Sequence, residues 1–250
     1  MGRPRGADCG VAFTPLTPDD HLARLGRASD AFAARLRTGD LDARVPACPG
    51  WSLTDLGRHL GGVHRWARTA VAESRSGQKT FDDAPVERDQ LVDWFRVGAG
   101  SLIDTLRSTG PAAPCWTIAS EPHIAGFWFR RQAHETVLHA HDAGAIDLLD
   151  PAFALDGIDE VVTVMFPRQV RLGRTAPLPA ALALTPDEGG RWVLAGDGTA
   201  PDPVADATVS GPAEAVLLLL WHRTDLDDPR LTVSGSRAAA DTVLAEALTP

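Results

Sequence analysis

Leu22, Leu25, Ala28, Phe32 and Leu36 fall three or four residues apart, the period of one helix face. Thr17 suits the cap, Pro18 the first helical position, Asp19 and Asp20 the first turn, and Gly39 the end. A second helix is predicted from Leu53 to about Glu73. Ser52 and Asp55 resemble a capping box with Asp in place of Glu, and Trp51 and Leu56 have the spacing of a hydrophobic staple. The polar residues from Ser74 to Asp83 predict a loop. A third helix covers about Val86 to Arg107, with Leu91, Trp94, Phe95, Leu102 and Leu106 on its apolar side, stopped by Gly110-Pro111. After a long connection, PAAPCWTIASEPH, a fourth helix runs from about His123 to Ala143, and Gly144 suits its end.

Four long amphipathic helices imply a bundle. A further helix, about Asp156 to Gln169, leads out of it. After Pro177 the period changes from helical to alternating. ALALTP, DEGG and RWVLAG read as strand, turn and strand; ADATVSG and LTVSG are further strands. GPAEAVLLLLWHR is a buried helix, and SRAAADTVLAEAL is a closing amphipathic one. The expected fold class is α+β: an N-terminal four-helix bundle over 1–150, a connecting helix and linker over 151–177, and a small α+β domain over 178–250.

Composition sharpens this picture in two ways. The net charge of −9 argues against a nucleic-acid partner. It is unevenly spread, since residues 151–250 hold 7 Arg and no Lys against 14 Asp and Glu, which suits two domains. The first twenty residues lack an apolar signal region, MGRPRG lacks the Ser or Thr of a myristoylation signal, and AVLLLLW is too short to span a membrane. A cytoplasmic protein is expected, with no membrane partner. Cys9, Cys48 and Cys115 are an odd, widely spaced set and are read as free thiols.

The chemistry concentrates in HETVLHAHD, His134 to Asp142. On a helical wheel centred on Glu135, His139 and Arg131 lie about 40° to either side, and Trp128 and Asp142 about 20° away. His134 and His141 lie off this stripe by about 100° and about 120°. A charged stripe on a helix is usually a solvated face. Here the remaining apolar residues form no competing stripe and Trp128 shares the charged one, so it is expected to face the bundle interior. Burying such charges bare costs several kcal/mol each, which a bound cation removes. Glu-x-x-x-His offers an oxygen and a nitrogen on one face, suited to a divalent metal. A third ligand should come from another helix. His59, on the apolar side with Leu56, Leu60 and Val63, is a better candidate than His64. Two His and one Glu leave coordination positions open, the catalytic rather than the structural pattern. Cys115 is the candidate for a fourth protein ligand if the site is structural instead.

CPGWSLTDLGRHLGGVHRWA followed by FRRQAHETVLHAHDAG resembles the mycothiol-dependent maleylpyruvate isomerase family, which belongs to the DinB-like four-helix metalloenzymes. Residues 178–250, including WHRTDLDDPRLTVSG, resemble that family's small C-terminal domain. The resemblance implies a DinB-like bundle whose metal ligands are His59, Glu135 and His139. It also implies a C-terminal Arg near the substrate, best matched by Arg223. His222 stands where the family often has Gly.

The implied cofactors are a divalent metal, zinc first, and mycothiol as thiol cosubstrate; nickel, iron and manganese also suit His₂Glu. The implied reaction is addition of the thiolate to an activated small molecule, followed by bond rotation and elimination, which isomerises a cis alkene to trans. Arg131 or Arg223 would hold a substrate carboxylate, and Asp142 would orient a ligand or act only as a helix-end charge. Two other readings stand beside this one. A mycothiol S-transferase would use the same metal and thiol on an electrophile, and a non-catalytic binding module would keep the metal without turnover. A transcriptional regulator finds no support, since there is neither a Cys pair nor a basic recognition helix. The expected partners are small molecules, with the protein a monomer or weak dimer.

Overall fold

A computed structural model describes residues 13–76, 84–199 and 203–250. Most of the loop expected over 74–83 lies outside the described residues, as do Cys9 and the MGRPRG start. The described chain divides into two compact units, Leu16–Leu149 and Asp150–Pro250, the second joined by residues 13–15.

The first unit holds α1 (Pro18–Thr38), α2 (Leu53–Glu73), α3 (Arg88–Thr109) and α4 (Gly126–Asp142). Complete capping boxes start α1 at Thr17/Asp20 and α2 at Ser52/Asp55. In each, the cap hydroxyl accepts the N3 amide and the Asp carboxylate returns to the cap amide, so two otherwise unpaired N–H groups are satisfied. α4 begins three residues later than its pattern suggested. Ile124 is held in an antiparallel bridge to Pro114, and the helix starts once that pairing ends.

The bundle core is built from Leu25, Phe32, Leu36, Leu56, Leu60, Leu91, Phe95, Leu102 and Trp128, all essentially inaccessible. Phe32 of α1 and Phe95 of α3 meet at 5.0 Å between ring centroids. α2 and α3 approach closely where the Trp94 ring covers Gly61; a Cβ there would run into the ring. Arg65, one turn along α2, lies over the Trp94 ring, 3.7 Å from its centroid, with Nη2 donating to Trp94 O at 2.7 Å.

The second unit opens with α5 (Pro151–Glu160), a π-helical turn (Val161–Met165) and α6 (Phe166–Arg171). This helix was expected only from Asp156. It starts earlier because the Asp150 carboxylate accepts the amides of Ala152 and Phe153, with Pro151 at the first position. The sheet contains β1 (Leu178–Pro186), β2 (Trp192–Gly196), β3 (Ala207–Gly211) and β4 (Thr232–Gly235) in the order β2-β1-β3-β4. β1 pairs antiparallel with β2 but parallel with β3, and β3 pairs antiparallel with β4. α7 (Ala213–Leu220) is buried on nearly every side and packs on α5; α8 (Arg237–Leu244) covers β1. α7 stops short of the expected WHR end because His222 takes a left-handed φ of 56°. Its N–H bonds Leu219 O and that of Arg223 bonds Leu218 O, the closing pattern a glycine commonly makes. His222 therefore makes the turn that glycine commonly makes at such a helix end.

The fold is α+β, a four-helix bundle followed by a small mixed domain. Among the described residues no helix is long and apolar enough to cross a membrane.

Candidate metal centre

α4 carries the centre. Its apolar residues are buried on all sides rather than along one stripe: Trp128, Phe129, Ala133, Val137, Leu138 and Ala140 all lie inside. Its charged stripe has no solvated side to occupy. The side chains of Arg131 and Asp142 are 6% and 1% exposed, with Glu135 at 19% and His139 at 14%.

Glu135 is the hub. Its Oε1 is 3.2 Å from His59 Nε2 on α2 and 3.5 Å from His139 Nε2 one turn along α4. Its Oε2 accepts Arg131 Nη2 at 2.8 Å. The two imidazoles face each other edge to face, with ring centroids 5.3 Å apart. The second nitrogen of His139, Nδ1, is 3.0 Å from Asp142 Oδ2. With Nδ1 held by that carboxylate, loss of the Nε2 proton would leave an Nε2 lone pair toward Glu135 Oε1, the tautomer a metal ligand requires. The Arg35 guanidinium closes the end of α4, with Nε donating to Ala143 O at 2.8 Å.

Electrostatics follow from this packing. Burial alone would push the Glu135 carboxyl up, but hydrogen bonds from His139 and His59 and the Arg131 charge outweigh it and hold it well below the usual carboxylate range. Burial would depress His139, yet its bonds to Asp142, Cys48 and Glu135 hold it well above the usual imidazole value.

The structure thus brings together five residues of the stripe and its partner helix: His59, Glu135, His139, Arg131 and Asp142. One oxygen or nitrogen from each of His59, Glu135 and His139 lies within 4.8 Å of the others. Arg223 belongs to the second unit, where Nη1 donates to Trp221 O at 2.6 Å. Cys115 is buried within the connection before α4 and joins none of the clusters of potential ligand atoms found among the described residues. The thiol beside the centre is instead Cys48, whose Sγ is 3.8 Å from Asp142 Oδ2. Its place in CPGW, a turn ahead of a histidine-bearing helix, was the only sequence signal.

His64 is more deeply buried than His59, with no exposed surface, and its Nε2 lies 2.8 Å from Thr136 Oγ1. Burial drives its pKa down to about 3. The unfolded chain takes up this proton below pH about 6.5 while the folded chain stays neutral to pH about 3. Stability is therefore lost as pH falls through that window. At pH about 5 the loss from this group is about 2 kcal/mol relative to neutral pH. Urea unfolding of wild type and His64→Gln at both pH values isolates it. The variant should lose less stability on acidification, and equal losses would assign the acid lability elsewhere.

Comparison with known proteins adds a family. Residues 22–144 match the mycothiol maleylpyruvate isomerase N-terminal domain, and residues 152–242 match the MDMPI C-terminal domain. The crystal structure of the mycothiol-dependent maleylpyruvate isomerase is similar at TM-score 0.62 and 15% identity, covering 90% of this chain and 95% of that one. A mutant of that enzyme, with one histidine replaced by alanine, is similar at the same TM-score and coverage and 14% identity. At such identity these two structures speak for the fold. No curated protein matches the chain. The two domain matches, consecutive and in order over most of the chain, carry the assignment: the protein belongs to the mycothiol-dependent maleylpyruvate isomerase family, a family of enzymes.

Proposed function

We propose that this protein is a divalent-metal- and mycothiol-dependent enzyme that isomerises an activated cis alkene by thiol addition, with His59, Glu135 and His139 as the ligands of the metal, zinc in the first place. The observation that carries the proposal is the convergence of two imidazole nitrogens on one carboxylate oxygen, at 3.2 and 3.5 Å, with the far nitrogen of His139 held by Asp142. Two nitrogens and one hard oxygen suit zinc, and three protein ligands leave room for a further one. A metal held there would lower the pKa of a thiol that ligates it and so favour the nucleophilic thiolate.

The chain's own residues set up this chemistry. Arg131 holds Glu135 Oε2, which turns Oε1 toward the histidines and compensates a buried charge. Since Arg131 is almost fully buried and committed to that pair, its role is orientation rather than substrate capture. Asp142 orients His139. Arg223, half-buried on the second unit, is the residue proposed to hold a substrate carboxylate.

Purified protein loaded with zinc and supplied with mycothiol should convert maleylpyruvate to its trans isomer. Consumption of model electrophiles without isomerisation would favour S-transfer at the same centre. Zinc-loaded protein that turns over neither class would leave a binding module and reject the enzyme reading.

A further inference from the structure

One short turn, Val45 to Trp51, packs on one histidine of the donor set and reaches the carboxylate that holds the other. Its backbone closes on itself: Val45 N–H donates to Trp51 O, Cys48 N–H to Val45 O and Trp51 N–H to Cys48 O, each at 3.0 Å. Arg44 Nη1 adds a bond to Gly50 O at 2.7 Å, and Gly50 supplies the positive φ of 86° that the turn requires. Two side chains leave this frame toward the centre. The Trp51 ring lies against the His59 imidazole, with centroids 4.7 Å apart and planes at 53°. Cys48 Sγ lies 3.8 Å from Asp142 Oδ2, the same oxygen that holds His139 Nδ1.

We infer that this turn is the orienting frame of the metal site: Trp51 sets the ring plane of His59, and Cys48 sets that of His139 through Asp142. The inference rests on the proposal that His59, Glu135 and His139 hold a divalent metal. An imidazole on a helix keeps two side-chain torsions, and a ring that must be ordered on binding metal loses affinity. Trp51 removes that freedom from His59 by packing. Asp142 removes it from His139 by a hydrogen bond, and its carboxylate is itself fixed by a second donor, the Cys48 thiol, a weak one. Because the turn precedes the cap of α2 directly, it links α2, which carries His59, to the end of α4, which carries His139. Cys48 and Trp51 are positioning residues and need not touch the metal.

The test uses the full chain with cobalt(II) as a spectroscopic probe and zinc affinity measured by chelator competition. Cys48→Ala and Trp51→Leu should each weaken zinc binding about tenfold, the usual scale for groups that orient a ligand, and alter the cobalt d–d bands. Cys48→Ser restores a donor to Asp142 and Trp51→Phe restores a ring to His59, so both should return most of the affinity and spectrum. Leu at position 51 keeps an apolar side chain for the staple with Leu56, so α2 stays capped; unfolding midpoints check this. Wild-type affinity and spectrum in the Ala and Leu variants would overturn the inference. So would losses that Ser and Phe fail to rescue, which would mark a general packing defect. A thiolate-to-cobalt charge-transfer band present in wild type and absent from Cys48→Ala would make Cys48 a ligand and overturn its positioning role. Wild-type protein that binds neither cobalt nor zinc would instead fail the metal reading itself, and this inference with it.

Discussion

Glu135→Gln is expected to bind zinc at least about 100-fold more weakly than wild type while remaining folded, because a lost ligand should cost more than the 10- to 100-fold of a lost outer-shell partner. The carboxylate serves three partners at once: His59 and His139 on Oε1, Arg131 on Oε2. An amide has one acceptor end. If its oxygen faces Arg131, its NH₂ points at two histidine nitrogens that should be lone-pair donors, and the negative charge that would offset a dication is gone. Gln is the informative substitution because Ala adds a second effect. Removing the side chain takes the Glu135 carboxylate away from the buried Arg131 guanidinium, a defect of about 3–5 kcal/mol that would confuse metal loss with unfolding. Turnover should fall by about 1,000-fold, since a metal that stabilises developing charge contributes several kcal/mol to the barrier. Chelator competition and the mycothiol-dependent assay read the two effects separately. A Gln variant with wild-type zinc affinity would remove Glu135 from the ligand set.

Trp128→Ala is expected to destabilise the bundle by about 3–5 kcal/mol, the range for truncating a large buried aromatic. The indole is fully buried and meets Trp66 edge to face, with centroids 4.9 Å apart and planes at 89°. Its Nε1 donates to Trp116 O at 2.8 Å, which ties the long connection before α4 to the helix. Truncation opens a cavity and also strands that carbonyl. Trp128 shares a helix stripe with Glu135 but lies about two turns away, so the folded fraction should keep zinc affinity within about threefold of wild type. Urea denaturation followed by near-ultraviolet dichroism measures the stability. A loss of zinc affinity without a loss of stability would mean that the aromatic end of α4 shapes the metal site directly.

These two residues show how one helix is divided. The N-terminal turns of α4 anchor the bundle through aromatic packing, and the C-terminal turns carry the donors. Both sets lie on one stripe because positions seven residues apart return to nearly the same face. The stripe was visible in sequence, but the reason it turns inward was not. It was expected to face the interior because no apolar stripe competed, whereas the apolar residues are themselves buried around the helix.

What the sequence by itself determined is local. The cap chemistry at Thr17 and Ser52, the helical period, and the grouping of Arg131, Glu135, His139 and Asp142 all follow from backbone geometry acting over one or two turns. The distinction between His139 and its neighbours His134 and His141 follows in the same way. Asp150 and Pro151 carried a start signal of the same local kind, and the helical period, which becomes regular only later, placed that start too far along. The tertiary structure decided what depends on distant segments meeting. Cys48 reaches Asp142 across 94 residues and His64 reaches Thr136 across 72, and neither pairing leaves a period in the chain. Parallel pairing of β1 with β3 around the intervening β2 is equally silent, since alternation marks a strand but not its neighbour. The cause is the same in each case: hydrogen-bond spacing along a helix or strand is set by covalent geometry, whereas the meeting of a turn with a helix end is set by how the core packs.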